Sequence, residues 1–547
     1  MRNNGIKFIA LLLLLSVLVS AFASCDQGST SDTDTTVGTT VESTEEVTTD
    51  APEEEVVLNV IDDRYRNWYE IYVGSFWDTN NDGIGDLDGV TAKLDYIKEM
   101  GYNGIWLMPI HPSPTYHKYD VNDYYAIDPD YGTLEDLDEL ITAAHERGIR
   151  VILDLVVNHT SIYNKWFTEA CSYIKKNGAP GGEYGDYYNF QTKKESNYEP
   201  VAGTQYYYEA RFWSGMPDLN LDSEGVRKEI KDIMKYWLVD HNVDGFRLDA
   251  VTSYYTGSIP KNVEFLSWLN TEAKALKESA FIVGEAWVGS DYAINQYYES
   301  GCDAFFLFTG SQATGSIATL VKQNNGKALG SLMMKLQSTY TTGVLAPFLG
   351  NHDTMRPGSF MPQAERVKMA GGVMAMLNGG CFVYYGEEIG MLSKGGNNSD
   401  PAKRIAMKWE EKFIYEGHCY VSPENTPVDE SSYLYPSVAE QAADENSILN
   451  YYKRAMQLRN MFPSIARGEV ANYSPDDNPY ICVVTKTYGD EKITIVFNLD
   501  EWEQTVKLDS AIECSEIVGD LYVDNSQTAK YEDGTVVLPP YSIVILK

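Results

Sequence analysis

Hydrophobic positions follow two alternating patterns along most of the chain. From about residue 67 to residue 386, short runs of β-branched and aromatic residues alternate with segments in which apolar positions recur every three or four residues. The short runs predict buried strands, and the longer segments predict amphipathic helices. Strands separated by helices pair in parallel, so we expect one parallel sheet. Eight strands are predicted, at residues 68–76, 104–110, 151–157, 245–249, 281–285, 304–308, 344–350 and 381–386.

The number of strands suggests the fold class. Eight alternating strands and helices in a segment of this length match the α/β class, specifically the (β/α)₈ TIM barrel. Helical periodicity is clearest at residues 89–100, 134–148 and 224–241. Active sites of TIM barrels lie at the carboxyl ends of the strands, so polar residues at these ends are the candidates for function.

Two regions depart from the alternating pattern. Between His159 and Asp222 the chain is rich in Tyr, Gly and Asn and is far longer than an ordinary βα loop, which predicts a small inserted domain after strand 3. After a predicted helix at residues 446–461, strand patterns at residues 480–488, 492–499 and 535–546 predict a C-terminal antiparallel β-sandwich. The expected domains are the barrel at residues 61–159 and 223–463, the inserted domain at 160–222 and the sandwich at 464–547.

The first 60 residues differ in composition from the rest. Arg2 and Lys7 precede an apolar run at residues 8–19, which predicts a signal peptide over residues 1–24. The small residues directly before Cys25 resemble a bacterial lipobox, so we expect Cys25 to be lipidated and to anchor an extracellular, cell-surface lipoprotein; plain secretion is the alternative. Residues 25–60 are rich in Ser, Thr, Asp and Glu and predict a disordered acidic linker.

Overall charge and cysteine usage exclude several classes of protein. The 547 residues include 43 Lys and Arg against 79 Asp and Glu, a net charge of −36, which argues against binding to nucleic acid. The six cysteines after Cys25 show no CxxC spacing, so neither a zinc site nor a disulfide scaffold is expected. The 40 Tyr and 10 Trp suit a ligand with flat apolar faces, such as a sugar, although aromatic residues also simply fill cores.

Four predicted strand ends carry candidate chemistry. They read DLVVNH at residues 154–159, GFRLDA at 245–250, GEAW at 284–287 and GNHD at 350–353. A TIM barrel directs all four ends into one pocket, which would bring carboxylates, an arginine and two histidines together. Glycoside cleavage requires such a set, with one carboxyl group ionised and another protonated.

These four motifs, together with MPDLN at residues 216–220 and YHKYDVNDYY at 116–125, resemble those of the α-amylase family of glycoside hydrolases. The resemblance extends over essentially the whole chain after the linker. The MPDLN form is similar to the subgroup between oligo-1,6-glucosidases and neopullulanases, several members of which are α-amylases. The family thus implies an α-glucan substrate, such as starch or maltodextrins, and we expect a monomer.

The resemblance assigns roles to individual residues. It implies that Asp249 is the nucleophile, Glu285 the general acid/base and Asp353 a third carboxylate that grips the sugar. Arg247, two residues before the nucleophile, would keep Asp249 ionised by charge pairing. The further substrate contacts that it implies are Tyr119, Asp120, His159, His352 and Arg404.

The family's chemistry gives a distance and a pKa to check. Retention of anomeric configuration implies carboxyl groups about 5 to 5.5 Å apart on Asp249 and Glu285. Glu285 also needs a raised pKa, which we expect from Trp287 and from nearby negative charge.

An Asp at position 120 binds the terminal hydroxyl of the chain in oligo-1,6-glucosidases, but Lys118 replaces the glycine usual in that branch. The alternatives are an α-glucosidase, an oligo-1,6-glucosidase, a neopullulanase-like enzyme, a glucanotransferase and a non-catalytic glycan-binding protein.

A second candidate site lies just after the first predicted strand. The sequence DTNNDGIGD at residues 78–86 spaces oxygen-bearing side chains as a calcium loop does. The expected Ca²⁺ ligands are Asp78, Asn80, Asp82, Asp86 and the carbonyl of Ile84, and a plain turn is the alternative. The family's other calcium site is doubtful, because Thr252 and Ser253 stand where its Lys-His pair usually lies.

Overall fold

The structure is a computed structural model and describes residues 63–394, 399–413, 416–424 and 430–547. The predicted signal peptide, the lipidated Cys25 and the linker at residues 25–60 lie outside these ranges. Within the described ranges, none of the helices has both the length and the apolar composition that a membrane span requires.

The secondary structure alternates strands and helices up to residue 467 and then consists of strands alone. The strands are β1 (Asn67–Ile71), β2 (Gly104–Leu107), β3 (Arg150–Leu155), β4 (Phe190–Gln191), β5 (Tyr198–Pro200), β6 (Tyr207–Glu209), β7 (Gly245–Leu248), β8 (Phe281–Gly284), β9 (Ala304–Phe306), β10 (Val344–Ala346), β11 (Cys381–Tyr384), β12 (Glu469–Asn472), β13 (Ile481–Tyr488), β14 (Glu491–Asn498), β15 (Gln504–Lys507), β16 (Ile517–Tyr522), β17 (Lys530–Glu532), β18 (Thr535–Leu538) and β19 (Ser542–Leu546). The helices are α1 (Leu87–Ala92), α2 (Leu94–Glu99), α3 (Leu134–Glu146), α4 (Lys165–Asn177), α5 (Glu224–Lys235), α6 (Ile259–Leu276), α7 (Asp291–Tyr297), α8 (Ser316–Lys322), α9 (Gly326–Thr339), α10 (Pro357–Phe360), α11 (Ala364–Ala375), α12 (Val438–Ala442), α13 (Ile448–Met461) and α14 (Pro463–Arg467).

Eight parallel strands form the barrel. Their order in the sheet is β10-β9-β8-β7-β3-β2-β1-β11, and each neighbouring pair is parallel. The two ends of the sheet meet where Gly380 N donates to Leu345 O at 2.8 Å and Phe382 N donates to Pro347 O at 2.9 Å. All eight predicted strands are present, so the TIM-barrel prediction is confirmed.

Aromatic rings fill the interior of the barrel. Trp68 stacks on Phe281 and on Phe382, with ring centroids 4.9 and 5.7 Å apart. Trp106 packs on Phe306 and donates from Nε1 to Asp154 Oδ2 at 3.3 Å. The large rings leave little space inside the barrel, so the polar groups gather near the carboxyl ends of the strands.

The inserted domain after strand 3 is confirmed. It contains α4 and a small antiparallel sheet with the strand order β4-β6-β5. An isolated β-bridge joins His159 to Asp218, and another joins Tyr188 to Leu219. The first bridge ties the inserted segment to the chain just after β3, where the first candidate motif lies, and the second lies within the inserted domain.

The C-terminal sandwich is also confirmed. A five-stranded sheet, β12-β13-β14-β19-β16, and a three-stranded sheet, β15-β18-β17, share an apolar core. The predicted single strand at residues 535–546 is wrong, because it is two strands, β18 and β19, in different sheets. Pro539 and Pro540 have no N–H to donate, and Tyr541 adopts a φ of 45°, so the chain turns between the strands.

Two predicted helices are interrupted. The predicted helix at residues 89–100 consists of α1 and α2, separated at Lys93. The predicted helix at residues 224–241 ends as α5 at Lys235 and continues as a π-helical turn, Tyr236–Asp240. Apolar periodicity runs through both interruptions, so it could not reveal them.

Two buried basic side chains fasten the C-terminal region to the barrel. Arg459 on α13 donates to the carbonyl oxygens of Ala375 and Leu377 at 2.6 and 2.7 Å. Lys486 on β13 donates to Met376 O and to Asn378 Oδ1, both at 2.7 Å. Both side chains are buried, and both hold the turn that precedes β11, the last strand of the barrel.

Candidate active site

The strand-end motifs meet in a cavity of about 480 Å³. Asp249 and Glu285 each follow directly after the last residue of a strand, β7 and β8 respectively, and Asp353 lies on the loop after β10. The predicted site residues on the cavity wall are Tyr119, His159, Asp249, Glu285, Asp353 and Arg404.

Arg247 connects the carboxylates from beneath the cavity. Because side chains two residues apart on a strand point to the same face, Arg247 and Asp249 lie together at the end of β7. The buried guanidinium donates from Nη1 to Asp249 Oδ1 at 2.9 Å and to Asp154 Oδ1 at 2.8 Å. Its Nη2 lies 3.1 Å from Glu285 Oε2. One fixed positive charge therefore orients three carboxyl groups.

Glu285 is set up to hold a proton at neutral pH. Burial, together with the charges of Asp249 and Asp353, raises its pKa to about 8 against the opposing charge of Arg247. The backbone N–H of Ala250 donates to Oε2 at 2.8 Å and fixes the carboxyl group. Trp287, which we expected beside this group, is half-exposed and stacks on Phe308 at 4.8 Å. A protonated, fixed carboxyl group is suited to general-acid catalysis.

Asp353 is held in the opposite protonation state. Burial alone would raise its pKa, but His352, Arg404 and Arg247 outweigh burial and hold the pKa well below the usual range. Burial likewise lowers the pKa of His352, but Asp353 and Glu70 together raise it to about 9. The resulting imidazolium lies 3.1 Å from Asp353 Oδ2 through Nε2 and contacts Glu70 Oε1 through Nδ1. The cavity thus contains an ionised carboxylate beside a protonated one.

Tyr119 and His159 form part of the wall. The Tyr119 hydroxyl donates to Asp154 Oδ2 at 3.1 Å, and its ring stacks on His352 with centroids 5.5 Å apart. His159 Nε2 lies 3.2 Å from the carbonyl oxygen of Tyr119, and burial lowers the pKa of this histidine. A neutral His159 therefore donates to that carbonyl and holds the loop of Tyr119 in place.

Three predicted site residues lie behind the wall. Arg247 and His352 are fully buried and act on the cavity through their carboxylate partners. Asp120 is also fully buried, and its Oδ1 accepts from Ser113 Oγ at 2.7 Å and from Thr115 Oγ1. The structure therefore brings Asp120 close to the site without placing it on the cavity wall.

Three further acidic residues belong to the site and have no predicted role. Glu70 binds His352, Asp154 binds Arg247, and Asp400 binds Arg404 Nη1 at 2.6 Å. Each had a signal in the sequence. Glu70 is the single charged residue of a predicted strand, Asp154 opens the DLVVNH motif, and Asp400 lies four residues before Arg404. The guanidinium of Arg404, so oriented, reaches Asp353 Oδ1 at 3.7 Å through Nη2.

In the predicted calcium loop, the aspartate side chains accept hydrogen bonds from nearby backbone N–H groups. Asp78 Oδ1 accepts from Asn81 N and Oδ2 from Gly83 N, both at 2.7 Å, while Asp86 accepts from Gly89 N at 2.7 Å. In the parts of the chain that the structure describes, no three His, Cys, Asp or Glu side chains come together as a metal-binding group. The loop's oxygen atoms are of the type that Ca²⁺ prefers, and calcium binding there stays a prediction.

Comparisons with known proteins agree with this geometry. The family model described as the α-amylase catalytic domain matches residues 70–468. Alpha-amylase 3 of Dictyoglomus thermophilum is 36% identical over 497 residues, covering 88% of this chain and 93% of the relative. An oligo-1,6-glucosidase of Bacillus cereus is 28% identical, covering 88% of this chain and 98% of that protein. The solved structure of Eubacterium rectale Amy13B is 40% identical, with a TM-score of 0.84, and the match covers 89% of this chain and 96% of that one. The chain therefore belongs to the α-amylase family and is a glycoside hydrolase.

Proposed function

We propose that the protein is an α-amylase, a retaining hydrolase of the α-1,4-glucosidic bonds of starch and maltooligosaccharides. One observation carries the proposal: a single cavity holds Asp249 paired with Arg247 and, beside it, Glu285 with a pKa raised to about 8. Double-displacement hydrolysis needs this division between an ionised nucleophile and a protonated acid. A relative named alpha-amylase, aligned over most of the chain, supports the same reaction.

The first step forms a covalent intermediate. An Asp249 carboxylate oxygen attacks the anomeric carbon while the Glu285 proton moves to the glycosidic oxygen, so the C–O bond breaks and the leaving glucan departs as an alcohol. Arg247 donates to Asp249 Oδ1 and holds this carboxylate in position for attack. Asp353, ionised through His352 and Arg404, accepts hydrogen bonds from hydroxyl groups of the sugar in the cleaved subsite.

The second step releases the sugar. The Glu285 carboxylate takes a proton from water, and the water oxygen attacks the anomeric carbon and displaces Asp249. Both catalytic groups then return to their starting states. Two inversions give net retention of configuration, which requires the predicted spacing of about 5 to 5.5 Å between the carboxyl groups.

The position of Asp120 favours an α-amylase over a glucosidase that releases sugars from chain ends. The resemblance to oligo-1,6-glucosidases would make Asp120 a ligand of the terminal hydroxyl. Here the side chain is fully buried, and its Oδ1 atom accepts hydrogen bonds from the hydroxyl groups of Ser113 and Thr115. A cavity wall without this carboxylate supports cleavage within the glucan chain.

The products of four substrates test the proposal. Starch, maltoheptaose, pullulan and isomaltose are incubated with the enzyme, and the products are followed over time. We expect an early fall in the iodine colour of starch, with maltose and short maltooligosaccharides accumulating. Release of glucose alone from the outset, with the iodine colour retained, would assign the protein to the α-glucosidases instead.

We also propose that the loop at residues 78–86 binds Ca²⁺. The ion would be held by Asp78, Asn80, Asp82, Asp86 and the carbonyl of Ile84. It would stabilise the loop between β1 and α1 and would supply no catalytic group. The oxygen-rich set of ligands supports this assignment. Isothermal titration of calcium into the chelator-treated enzyme measures the binding directly.

We further propose that the mature enzyme is an extracellular monomer anchored to the bacterial surface through lipidated Cys25. The apolar run at residues 8–19 and the small residues before Cys25 support this assignment. A Cys25→Ser variant expressed in a bacterium should lose incorporation of labelled fatty acid and leave the membrane fraction. If wild type and variant fractionate identically and neither is labelled, there is no lipid anchor.

A further inference from the structure

Glu70 is a carboxylate inside the aromatic interior of the barrel, and the mechanism above does not use it. It lies on β1, where its neighbours in the sheet are Trp106 of β2 and Tyr384 of β11. The side chain is buried, and burying a carboxylate among aromatic rings costs free energy unless a partner offsets the cost. His352, on the loop after β10, is that partner, because its Nδ1 lies 2.5 Å from Glu70 Oε1.

The ring of His352 lies between two carboxylates. Nδ1 faces Glu70, and Nε2 lies 3.1 Å from Asp353 Oδ2. A neutral imidazole has a single N–H, so it would turn a lone pair towards one of these two acceptors. The hydroxyl of Tyr119, 2.8 Å from Nε2, gives its own proton to Asp154 and can accept one from the ring. Every neighbour of the two ring nitrogens thus suits an imidazolium.

Aromatic packing keeps the ring in this orientation. The edge of Trp106 meets His352 with ring centroids 5.6 Å apart, and Tyr119 stacks on it with centroids 5.5 Å apart. His352 itself is fully buried. The ring therefore cannot turn to water in place of Glu70 or Asp353.

The other charges near His352 offset one another. The charged and titratable side chains that face this part of the cavity from the other elements are Asp154 on β3, Arg247 on β7, Asp249, Glu285 and Arg404. With Glu285 protonated, two carboxylates and two arginines remain, and their charges cancel. The charges that balance the imidazolium are therefore those of Glu70 and Asp353, which together raise the pKa of His352 against burial.

The charge of Glu70 matters more than its capacity to accept a hydrogen bond. A glutamine at this position could accept from Nδ1 just as well, but it would bring no negative charge. An opposite charge this close to a titratable group shifts its pKa by about 1 to 3 units. Without that charge, His352 would lose a proton near neutral pH, and the lone pair of Nε2 would then face Asp353.

We propose that Glu70 is a positioning residue, which acts through His352 to keep the carboxylate of Asp353 ionised and oriented towards the substrate. Glu70 itself does not touch the substrate, because it is buried beneath the cavity. Its effect on Asp353 as a substrate ligand rests on the proposed function, whereas its effect on His352 does not. Glu70 thereby extends the working range of the enzyme up to the pH at which Glu285 loses its proton.

Titration of His352 tests the first step directly. Wild type and Glu70→Gln are labelled with ¹³C-histidine, and a His352→Asn variant identifies the signal of this ring. In the wild type we expect the ring to stay protonated up to about pH 9. In Glu70→Gln the midpoint should fall by about two pH units. A midpoint within half a unit of wild type would overturn the proposal.

The pH profile of activity tests the second step. The ratio of wild-type to Glu70→Gln kcat/KM on maltotetraose should be near one at pH 6, where His352 is protonated in both proteins. It should grow about tenfold by pH 8, as the ring of the variant loses its proton. A loss of the same size at every pH would indicate a purely structural role, and no loss would indicate none; either result would overturn the proposal.

The matched control is Glu388→Gln, which removes another fully buried carboxyl group beside β1. Glu388 Oε1 accepts from the hydroxyl groups of Tyr69 at 2.5 Å and Tyr96 at 2.8 Å, and it has no contact with His352. This variant should keep the wild-type titration of His352 and the wild-type shape of the pH profile. Maltotetraose left intact by the wild type would refute the proposed function, and the titration would still decide whether Glu70 controls His352.

Discussion

Two acidic regions of the molecule contain the same type of side chain but give it different partners. At the strand ends, Asp249, Asp154 and Glu285 all contact one buried guanidinium, that of Arg247. In the loop at residues 78–86, the aspartates instead accept hydrogen bonds from backbone N–H groups of their own segment. The carboxylates of the first region are brought together by tertiary structure, whereas those of the second accept hydrogen bonds from backbone N–H groups of the loop itself and of the start of α1.

The difference shows how burial and neighbouring charges change the pKa of ordinary carboxyl groups. Burial and neighbouring carboxylates raise the pKa of Glu285 to about 8, whereas His352 and two arginines outweigh burial and hold the pKa of Asp353 well below its usual range, although the two groups share one cavity. In the loop, Asp82 is exposed to solvent and hydrogen bonds only locally. A carboxylate becomes an acid catalyst through its surroundings, and sequence composition alone does not distinguish the two regions.

The largest expected effect appears when the same substitution, Asp to Asn, is made in each region. Asp249→Asn should lower kcat on starch by roughly a thousandfold or more, because the nearly isosteric amide cannot act as nucleophile. Asp82→Asn, the same change in the loop, should leave kcat within twofold when calcium is present. Steady-state kinetics and melting temperatures of both variants provide the check. An Asp249→Asn enzyme within tenfold of wild type would mean that the nucleophile is misassigned.

The raised pKa of Glu285 predicts an alkaline limit to activity. Glu285 must carry its proton to begin the reaction, so kcat/KM should fall about tenfold per pH unit above a value near 8. The profile of kcat/KM against pH measures this limit in the wild type. A limit below pH 6 would contradict the assigned environment of Glu285.

The same pKa shift predicts a stability effect of Glu285→Gln. The folded-state pKa lies above the ordinary value of 4.5, so between these values the native state binds more protons than the unfolded state, and wild-type stability falls as pH rises. Glutamine removes this cost, so the variant should be more stable than wild type near pH 8 by on the order of 4 kcal/mol. The advantage should shrink towards pH 5. Denaturation at pH 5 and pH 8 tests the sign, and an advantage that grew towards pH 5 would refute it.

The smallest expected effect concerns the loop. If calcium binds there, chelation should lower the melting temperature of the wild type by a few degrees, because the ion binds only the folded loop and contributes roughly 1 to 3 kcal/mol by mass action. Asp82→Ala should melt at the lower temperature with or without chelator. Thermal melts of both proteins with added calcium and with chelator decide the question. An Asp82→Ala protein that melts like wild type under both conditions would leave the loop as a plain turn.

Local sequence was sufficient to predict the barrel and the positions of its central carboxylates. Each barrel strand is a buried run of residues, and Asp249 and Glu285 follow directly at the ends of two of them. Strand lengths were less predictable. The first predicted strand extended to residue 76, but β1 ends at Ile71, because a buried 3₁₀ turn at Val73–Ser75 continues the apolar pattern. Burial alone does not distinguish a strand from the turn that follows it.

The rest of the site depends on contacts between distant residues. Glu70 and His352 lie 282 positions apart, and no local pattern relates them. Asp120 lies next to Tyr119 in the sequence, yet only the fold shows that its carboxylate is buried on the hydroxyl groups of Ser113 and Thr115. The residue types of the site were predictable, but the assignment of each side chain to the cavity wall or to its support was not.

The seam of the barrel, where β10 and β11 meet, has a consequence for the synthesis of the chain. Strand β11 joins β1 to β10, and the turn before it is held by Arg459 and Lys486, which leave the ribosome well after β11 itself. Until Lys486 has emerged, that turn lacks one of its two buried basic side chains. The nascent chain therefore carries incompletely secured strand edges, which invite wrong pairing, through most of its synthesis. The turn before the last barrel strand is therefore held partly by the C-terminal domain, so a chain that ends before residue 486 would contain every catalytic residue and lack the Lys486 contacts at the seam.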